Sequence, residues 1–481
     1  MRHAAIQRVI GFVVGGSSLM MLPPVLVSWW YEEHTARLFL DSAAVLVLAG
    51  GLIYLPVRND RRELRLRDGF LVVVACWLVL VLVGALPFAM LEQPQLGYVD
   101  SFFESMSGLT TTGATIINNI DGLPRAVLYY RQQLQWLGGM GIIVLAVAIL
   151  PMLRIGGMQL FRAEFPGPLK DAKLTPRITE TAKALWLIYL GITLLCTLAY
   201  WLGGMQLFDA VCHAFSTVAL GGFSTHGASL GYYNDPTLET IAIFFMVISG
   251  MNFALHFSAW RKASAQPYFQ DSELKTYIAL LVVFAAVVSI ALLLGGVYGS
   301  LSEAMRYGIF HVVSALTTTG FSTTQFSQWP GFVPLLLILL AFIGGCAGST
   351  AGGMKIIRVI LLYRHASREV RRLIHPHSVV PVKFGGQKAL PAVLDAVMGF
   401  FFLYMASTAL MTVLLSATGV DLETAFSAVA ACITNSGLSE VGESYASLSD
   451  PAKMVLSFAM LAGRLELFTL LVLFTSAFWR D

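Results

Sequence analysis

The stretch SGLTTTGAT (107–115) recurs in altered form at three later places in the chain. The related stretches are STVALGGFST (216–225), SALTTTGFST (314–323) and ACITNSGLSE (431–440). In each of the four, a small residue is followed six positions later by a glycine, and a hydroxyl residue follows that glycine by two positions. The glycines recur at intervals of roughly 100 residues, longer than the period of soluble solenoid repeats. The chain is therefore predicted to contain four equivalent units, each built around one glycine turn.

Each turn ends a short apolar segment. The four segments are Tyr98–Thr110, Leu207–Ala219, Ser302–Leu316 and Leu422–Ile433. They cannot cross a bilayer, because a spanning helix needs about 20 apolar residues. A short apolar helix that enters and leaves on one face is a re-entrant element, and irregular backbone at membrane depth is tolerated where it is buried in protein or lines a water-filled cavity. We therefore predict four re-entrant helices.

The composition places these segments in a membrane protein. The chain has 481 residues, of which 57% are hydrophobic and only 12% are charged, whereas a soluble domain carries about 25% charged residues. Disorder is also excluded, because disordered chains are poor in aromatic residues and this one has 31 Phe, 16 Tyr and 9 Trp. The chain is predicted to be a polytopic membrane protein.

Long apolar runs give ten candidate spans, two of which precede the first unit. They lie near 9–30, 38–57, 69–91, 132–153, 184–203, 237–260, 276–298, 331–362, 391–417 and 454–478. The predicted fold is all-α, with four parallel span–re-entrant pore helix–span repeats around a pseudo-fourfold pore and two extra N-terminal transmembrane helices. The predicted boundaries are 1–67 for the two N-terminal helices, 68–153, 154–262 and 263–375 for repeats one to three (the third with a broken second span, 331–362), and 376–481 for repeat four.

Most of the 31 Lys and Arg residues lie on the N-terminal side of these spans, above all in 58–69, 154–183 and 364–388. Positive residues stay cytoplasmic, so both termini are predicted to lie in the cytoplasm.

Four irregular turns around one axis would form a ring of carbonyl oxygens, and such rings replace the hydration shell of a monovalent cation. Glycine supplies backbone angles that other residues reach only with strain. The C-terminal ends of the short helices carry partial negative charge, which favours a cation there. One such turn could simply reverse the chain direction, but four in register favour a cation pore.

The motifs resemble those of the membrane subunits of the bacterial TrkH/KtrB potassium-uptake family. Besides the four turns, the resemblance includes QWLGGMGI (135–142), GGCAGSTAGGMKIIR (344–358) and LAGRLELFTLL (461–471). It implies a homodimer that translocates K⁺, the transported ion, across the bacterial inner membrane. The filter residues that it implies are Thr111, Thr112, Gly113, Leu220, Gly221, Gly222, Thr318, Thr319, Gly320, Asn435, Ser436 and Gly437. Asn435 and Ser436 depart from the Thr-Thr of two other turns, so the fourfold symmetry is not expected to be strict. None of the turns has the two-glycine filter of tetrameric K⁺ channels, which implies weaker selectivity over Na⁺, and a Na⁺-coupled or Na⁺-permeant transporter of the same architecture remains the alternative.

The predicted span 331–362 contains a stretch in which every side chain is small. Its five glycines are Gly344, Gly345, Gly348, Gly352 and Gly353. Small residues on one face would indicate close helix packing, but here all faces are small for ten residues, which favours an uncoiled intramembrane loop. The resemblance implies that this loop occludes the pore and moves during gating.

Arg464 lies within the last predicted span, where an arginine costs about 2.5–3.5 kcal/mol on insertion scales. It is expected to face a cavity and to have a partner. Pairing with Glu466 as local packing is one interpretation, and an electrostatic barrier beside a cation path is the favoured one. Lys355 either assists this gate or anchors the chain at the cytoplasmic surface.

The remaining expectations concern chemistry and partners. No H-E-x-x-H pattern occurs, and the glycine-rich stretch lacks the GK[ST] ending of a nucleotide loop, so we expect no enzyme activity, no bound cofactor and no nucleic acid. The resemblance implies a TrkA-like cytosolic regulatory subunit that binds NAD or ATP. The basic loops would dock this subunit, or only fix topology and meet anionic membrane lipid. Glu104, His213 and His311 occupy equivalent positions in three of the re-entrant segments, nine residues before the turn glycine. For these side chains we favour a role in hydrogen bonding between helices over a role in proton-coupled transport.

Overall fold

The computed structural model describes residues 3–59, 66–144, 178–376, 380–385, 387–439 and 444–480. The regular secondary structure of the described residues is helical, apart from one hairpin of two-residue strands. In this hairpin, β1 (Lys383–Phe384) pairs antiparallel with β2 (Gln387–Lys388). The prediction of an all-α membrane protein is confirmed, with this hairpin as its small exception.

The N-terminal part folds as a pair of packed helices. Helix α1 (His3–Ser17) continues through a short 3₁₀ segment into α2 (Leu22–Trp30), and α3 (Ala36–Tyr54) runs back along them. A side chain at Gly11 would overlap Tyr54, and one at Gly50 would overlap Gly15. Glycine therefore allows the close approach that small residues provide between membrane helices.

Each of the four units contains a long helix, a short helix and a returning helical segment. The first has α4 (Leu66–Ala89), α5 (Tyr98–Leu109) and α6 (Arg125–Val144). The second has α7 (Ile178–Leu202), α8 (Leu207–Ala219), α9 (Pro236–Ser249) and α10 (Phe253–Lys262). The third has α11 (Gln266–Gln270), α12 (Ser272–Leu294), α13 (Leu301–Leu316), α14 (Phe332–Ile343) and α15 (Ile356–Ile374). The fourth has α16 (Pro391–Ser416), α17 (Leu422–Ile433), α18 (Asp450–Arg464), α19 (Phe468–Leu471) and α20 (Ser476–Trp479).

Six helices within the described residues are long and apolar enough to cross a membrane, or up to eight if each bent pair is one span. Two of the ten predicted spans are outside this set. The span 132–153 runs into 145–153, which lie outside the described residues. The span 331–362 is interrupted by the glycine-rich stretch between α14 and α15, as expected.

Two further spans are broken, which the hydropathy did not predict. Helices α9 and α10 meet at 89°, and α18 meets the segment after it at 110°. At the first break, the Asn252 side chain accepts the backbone N–H of Ala254 at 2.8 Å and so begins a new helix. At the second, Glu466 and Leu467 have φ of 54° and 47°, which a continuing right-handed helix excludes. The candidate spans 237–260 and 454–478 therefore each consist of helical segments joined at a bend.

The buried side chains form two apolar clusters. One joins the second and third units, and the other joins the N-terminal helices with the first and fourth units. Large apolar side chains also cover the outer surface, for example Leu52, Leu202 and Leu294, whose side chains are mostly exposed. Such a surface suits lipid, because lipid tails are as apolar as leucine.

Candidate functional site: four turns and the loop against them

The four short helices α5, α8, α13 and α17 end in the same backbone turn. A residue with left-handed backbone follows each helix, with φ between 52° and 56°. These residues are Thr111, Leu220, Thr318 and Asn435. The next residue in each turn donates its N–H five positions back, as Thr112 does to Ser107 at 2.9 Å. Left-handed conformations of non-glycine residues store strain and cluster at functional sites.

The glycines of the turns bring the four units together. Gly113, Gly222, Gly320 and Gly437 all have positive φ, between 61° and 85°. A Cβ at any of them would overlap a backbone carbonyl oxygen of another turn. The overlaps are Gly113 with Gly221, Gly222 with Thr319, Gly320 with Ser436 and Gly437 with Thr112. This order runs from the first unit to the fourth and back to the first, so the carbonyls form a closed ring.

Hydroxyl groups brace three of the four turns. Thr110 lies 2.8 Å from Thr112, Thr317 lies 2.7 Å from Thr319, and Thr434 donates to Ser436 at 3.0 Å. The second turn has Ala219 and Gly221 at the corresponding positions. There the buried side chain of Gln135, from α6, donates to the Gly221 carbonyl at 2.5 Å and accepts from the Phe223 N–H at 3.1 Å.

The fourth turn differs from the others in its side chain, but it has the same backbone. Asn435 donates through Nδ2 to the Thr112 hydroxyl at 3.1 Å and to the Met460 carbonyl at 2.9 Å. The amide thus links the fourth turn to the first and to α18. The ring is closed in spite of the unequal side chains.

All four turn glycines line one cavity of about 440 Å³. The residues that follow the glycines line its sides, among them Thr115, Ser224 and Ser439. Each of these hydroxyls is held by a side chain. Thr115 donates to Glu104 at 3.0 Å, the His213 Nε2 lies 2.9 Å from Ser224, and Tyr445 donates to Ser439 at 2.7 Å. In the third unit, His311 contacts the ring of Trp329.

A buried ion pair lies beside this cavity. Arg131 and Glu104 are both fully buried and their charged atoms are 2.8 Å apart. Arg131 also donates to Thr115 at 3.1 Å and lies over the ring of Phe223 at 4.2 Å. Sequence reasoning missed Arg131 as a site residue. The available signal was an arginine directly beside the predicted span 132–153, because ionisable residues at membrane depth are often functional.

The glycine-rich stretch 344–355 lies against the residues that precede the turn glycines. The Gly352 N–H donates to the Thr318 hydroxyl at 2.6 Å, and the Gly353 N–H donates to the Thr434 carbonyl at 3.1 Å. Gly348 accepts from the Phe253 N–H at 3.0 Å. This loop therefore joins the third and fourth turns to the break between α9 and α10, on the side of the ring away from the cavity.

The first residue of the loop and a residue near its end have backbone that requires glycine. Gly344 and Gly353 have φ of 75° and 71°, and a Cβ at either would overlap the other strand of the loop. Gly345 accepts from the Ile356 N–H at 3.1 Å. The close approach of the two ends holds α14 and α15 together across the break.

Glu273 holds the middle of the loop, which sequence reasoning missed. Its buried carboxylate accepts the N–H of Ala347 at 2.8 Å and that of Ile357 at 3.2 Å. A carboxylate at the start of an apolar span is a signal that could have found it. Lys355 is also buried, and its ammonium donates to the Ala351 carbonyl within the loop. The lysine therefore lies in the loop and not at an exposed surface.

Arg464 bridges the loop and α6. Its side chain is 2% exposed, and it donates to the Thr350 carbonyl at 3.3 Å and the Gly138 carbonyl at 2.9 Å. Glu466, the partner in the packing interpretation, instead lies 2.6 Å from Arg358. The arginine thus contacts the loop directly, beside the four turns.

Comparisons with known proteins agree with this architecture. The TrkH family model, described as a cation transport protein, matches residues 35–480. The chain is 48% identical to the Trk system potassium uptake protein TrkH of Salmonella typhimurium over all of both chains. It is 53% identical to that of Halomonas elongata, over 92% of each chain. The solved structure of the potassium transporter TrkH from Vibrio parahaemolyticus matches all of both chains with a TM-score of 0.93 and 47% identity. The chain belongs to the TrkH family of cation transport proteins.

Proposed function

We propose that this chain takes up K⁺ across the bacterial inner membrane through a filter formed by the four turns. The closed ring of carbonyl oxygens carries the proposal, because carbonyl rings replace the water around a monovalent cation. The names of its relatives, potassium uptake proteins and a potassium transporter, support the choice of ion. K⁺ is the transported ion in this proposal, and the chain is a transporter and not an enzyme.

The filter in this proposal consists of the three residues of each turn that end at the glycine. They are Thr111, Thr112, Gly113, Leu220, Gly221, Gly222, Thr318, Thr319, Gly320, Asn435, Ser436 and Gly437. A dehydrated cation would exchange its water for these carbonyls. The four short helices direct their C-terminal, partially negative ends toward the ring, which stabilises a positive charge there.

The loop 344–355 is the proposed gate. It contacts residues that precede the turn glycines in the second, third and fourth units, which supports its position across the ion path. The glycines of the gate are Gly344, Gly345, Gly348, Gly352 and Gly353. Lys355 adds positive charge within the loop and Arg464 adds it beside the loop. A fixed positive charge opposes the passage of a cation.

The assembly extends beyond this chain in the proposal. Both termini lie in the cytoplasm, two chains form a homodimer, and a TrkA-like cytosolic subunit that binds NAD or ATP controls the gate through the basic loops. The two N-terminal helices and the four repeats follow the boundaries 1–67, 68–153, 154–262, 263–375 and 376–481. The name of the relatives, which refers to a Trk system, supports a further component.

The experiment that tests the proposal is ion competition in K⁺-uptake-deficient cells that express this chain. We expect Rb⁺ uptake that excess K⁺ abolishes and that the same excess of Na⁺ leaves mostly intact. Cells with a Gly320→Ser variant should lose the uptake, because any Cβ there overlaps the carbonyl of Ser436. Equal competition by Na⁺ would support the Na⁺-permeant alternative and contradict K⁺ selectivity.

A further inference from the structure

The second turn lacks the hydroxyl pair that braces the other three. Its two positions are Ala219 and Gly221, where the other turns have Thr with Thr or Thr with Ser. Ala219 packs against Gly139 of α6, and the carboxamide of Gln135 fills the space in which a Gly221 side chain would lie. A residue from the first unit thus takes the place of a side chain in the second turn.

Gln135 makes two hydrogen bonds with this turn, and it is fully buried. Its Oε1 accepts the Phe223 N–H at 3.1 Å. In the fourth turn, the Ser436 hydroxyl accepts the equivalent N–H, that of Leu438, at 3.4 Å. The carboxamide oxygen of Gln135 therefore accepts in the second turn the hydrogen bond that the Ser436 hydroxyl accepts in the fourth.

The other end of the amide acts on the ring itself. Gln135 Nε2 donates to the Gly221 carbonyl at 2.5 Å. This oxygen is one of the four that close the ring, together with those of Thr112, Thr319 and Ser436. Within the described part of the chain, only the Gly221 oxygen of these four accepts a side-chain hydrogen bond. A carbonyl oxygen has two lone pairs, so one is left for a cation.

We propose that Gln135 is a positioning residue that sets the preference for K⁺ over Na⁺ by holding the Gly221 carbonyl at a fixed place in the ring. Na⁺ is smaller than K⁺, so carbonyls must move inward to coordinate it equally well. An amide that anchors one carbonyl and the following N–H opposes this movement on one quarter of the ring. The inference rests on the proposed function, that the ring is the ion filter.

The test is the permeability ratio of K⁺ to Na⁺, measured from reversal potentials in planar bilayers that contain the purified full chain. Gln135→Leu keeps the volume of the side chain and removes both hydrogen bonds. We expect the permeability ratio to fall about five-fold, which corresponds to the net free energy of roughly one hydrogen bond. Gln133→Leu is the matched control, because Gln133 lies on the same helix and donates to the Met20 carbonyl, away from the turns.

A second variant guards against a folding defect in the first. Gln135→Ala combined with Gly221→Ser removes the amide and gives the turn its own hydroxyl, as in the fourth turn. The backbone at Gly221 is not left-handed, so a serine is allowed once the carboxamide is gone. The single variant Gln135→Ala is measured beside it, and we expect the double variant to recover at least half of the selectivity that Gln135→Ala loses.

The outcomes separate this inference from the proposed function. A wild-type chain with no preference for K⁺ would contradict the filter itself and with it the role of Gln135. A selective wild type with an unchanged ratio in Gln135→Leu would overturn the positioning role alone. So would a folded double variant that stays as unselective as Gln135→Ala, because the hydroxyl would then not replace the amide.

Discussion

At the residue scale, Arg464 is the side chain whose removal tests the gate. We expect Arg464→Ala to raise basal K⁺ flux. One unit charge about 10 Å from a cation contributes about 1–2 kcal/mol at an effective dielectric constant of about 20, so the increase should be of the order of tenfold. The two hydrogen bonds to Thr350 and Gly138 would be lost as well. Flux is measured as ⁸⁶Rb⁺ uptake into proteoliposomes.

The control for this prediction is Arg480→Ala, which removes an exposed arginine near the C-terminal end of the described chain. It should leave basal flux unchanged. If Arg464→Ala took up Rb⁺ at the wild-type rate, this would contradict the gating role of the arginine and favour a packing role.

A second residue-scale prediction concerns His226, in the segment that follows the second turn glycine. Its Nδ1 lies 2.8 Å from Asp121 and its Nε2 lies 3.7 Å from Asp209, and its ring stacks on Tyr232. Burial lowers the pKa of His226, but the hydrogen bonds and negative charges of Asp209 and Asp121 outweigh it and raise the pKa above the ordinary 6.5. The pKa values of both carboxyls are lowered.

The sign of the pH effect follows from this direction. The stability that the charged imidazole contributes is fully present below pH 6.5 and is lost as pH rises through the raised pKa. As pH rises from 6.5 through the raised pKa, we expect the melting temperature of the purified protein to fall relative to that of the His226→Gln variant. The expected fall is about 1 °C, because the ion pair of His226 with Asp121 is partly exposed. Parallel pH dependence of the two melting temperatures would contradict this prediction, because it would show that folding does not raise the pKa of His226.

At the element scale, the loop 344–355 is held by a few polar contacts that a variant can remove. Glu273→Ala would leave the N–H groups of Ala347 and Ile357 without the carboxylate that accepts them. An unsatisfied buried N–H costs about 1–3 kcal/mol. We therefore expect hydrogen–deuterium exchange in the loop, measured by mass spectrometry, to be about tenfold faster. Basal flux, measured as Rb⁺ uptake, should also rise about tenfold.

Glu273→Gln should show a smaller effect, because the amide oxygen can still accept one of the two N–H groups. Glu303→Ala is the matched control, since Glu303 is an exposed acid in the first turn of α13. Equal exchange rates in Glu273→Ala and in the wild type would show that the carboxylate does not hold the loop.

The short helices also show how far sequence reasoning extends at this scale. Their existence and bounds followed from length and hydropathy, and the observed α8 and α17 coincide with the predicted segments Leu207–Ala219 and Leu422–Ile433. The helix breaks after Ser249 and Arg464 could not be predicted from hydropathy. Hydropathy is averaged over a whole span and does not detect a change of backbone direction over two or three residues. A glycine at 250 or an arginine at 464 was the local signal in each case.

At the scale of the whole molecule, the distribution of basic residues predicts which face is cytoplasmic. In a cysteine-free background, Arg480→Cys should react with a membrane-impermeant maleimide in inside-out vesicles only. Gly299→Cys, at an exposed connection before α13 with no atom near its Cβ, should react in right-side-out vesicles only. The reverse pattern would overturn the predicted orientation of both termini.

The amino-acid sequence is enough to predict the membrane class, the four glycine turns and the family resemblance, because these depend on composition and on local backbone preference. It also indicated that 344–353 cannot be an ordinary helix. The three-dimensional structure was needed to show which residues meet: Gln135 with the second turn, Glu273 with the loop, and Arg464 with Thr350. These partners lie about 70 to 115 residues apart in the chain. The repeat of the glycine turns relates equivalent positions of different units, but it does not show which side chains of those units meet. Their contacts exist because the closed ring brings four units around one axis, so side chains of one unit reach the turn or the loop of another.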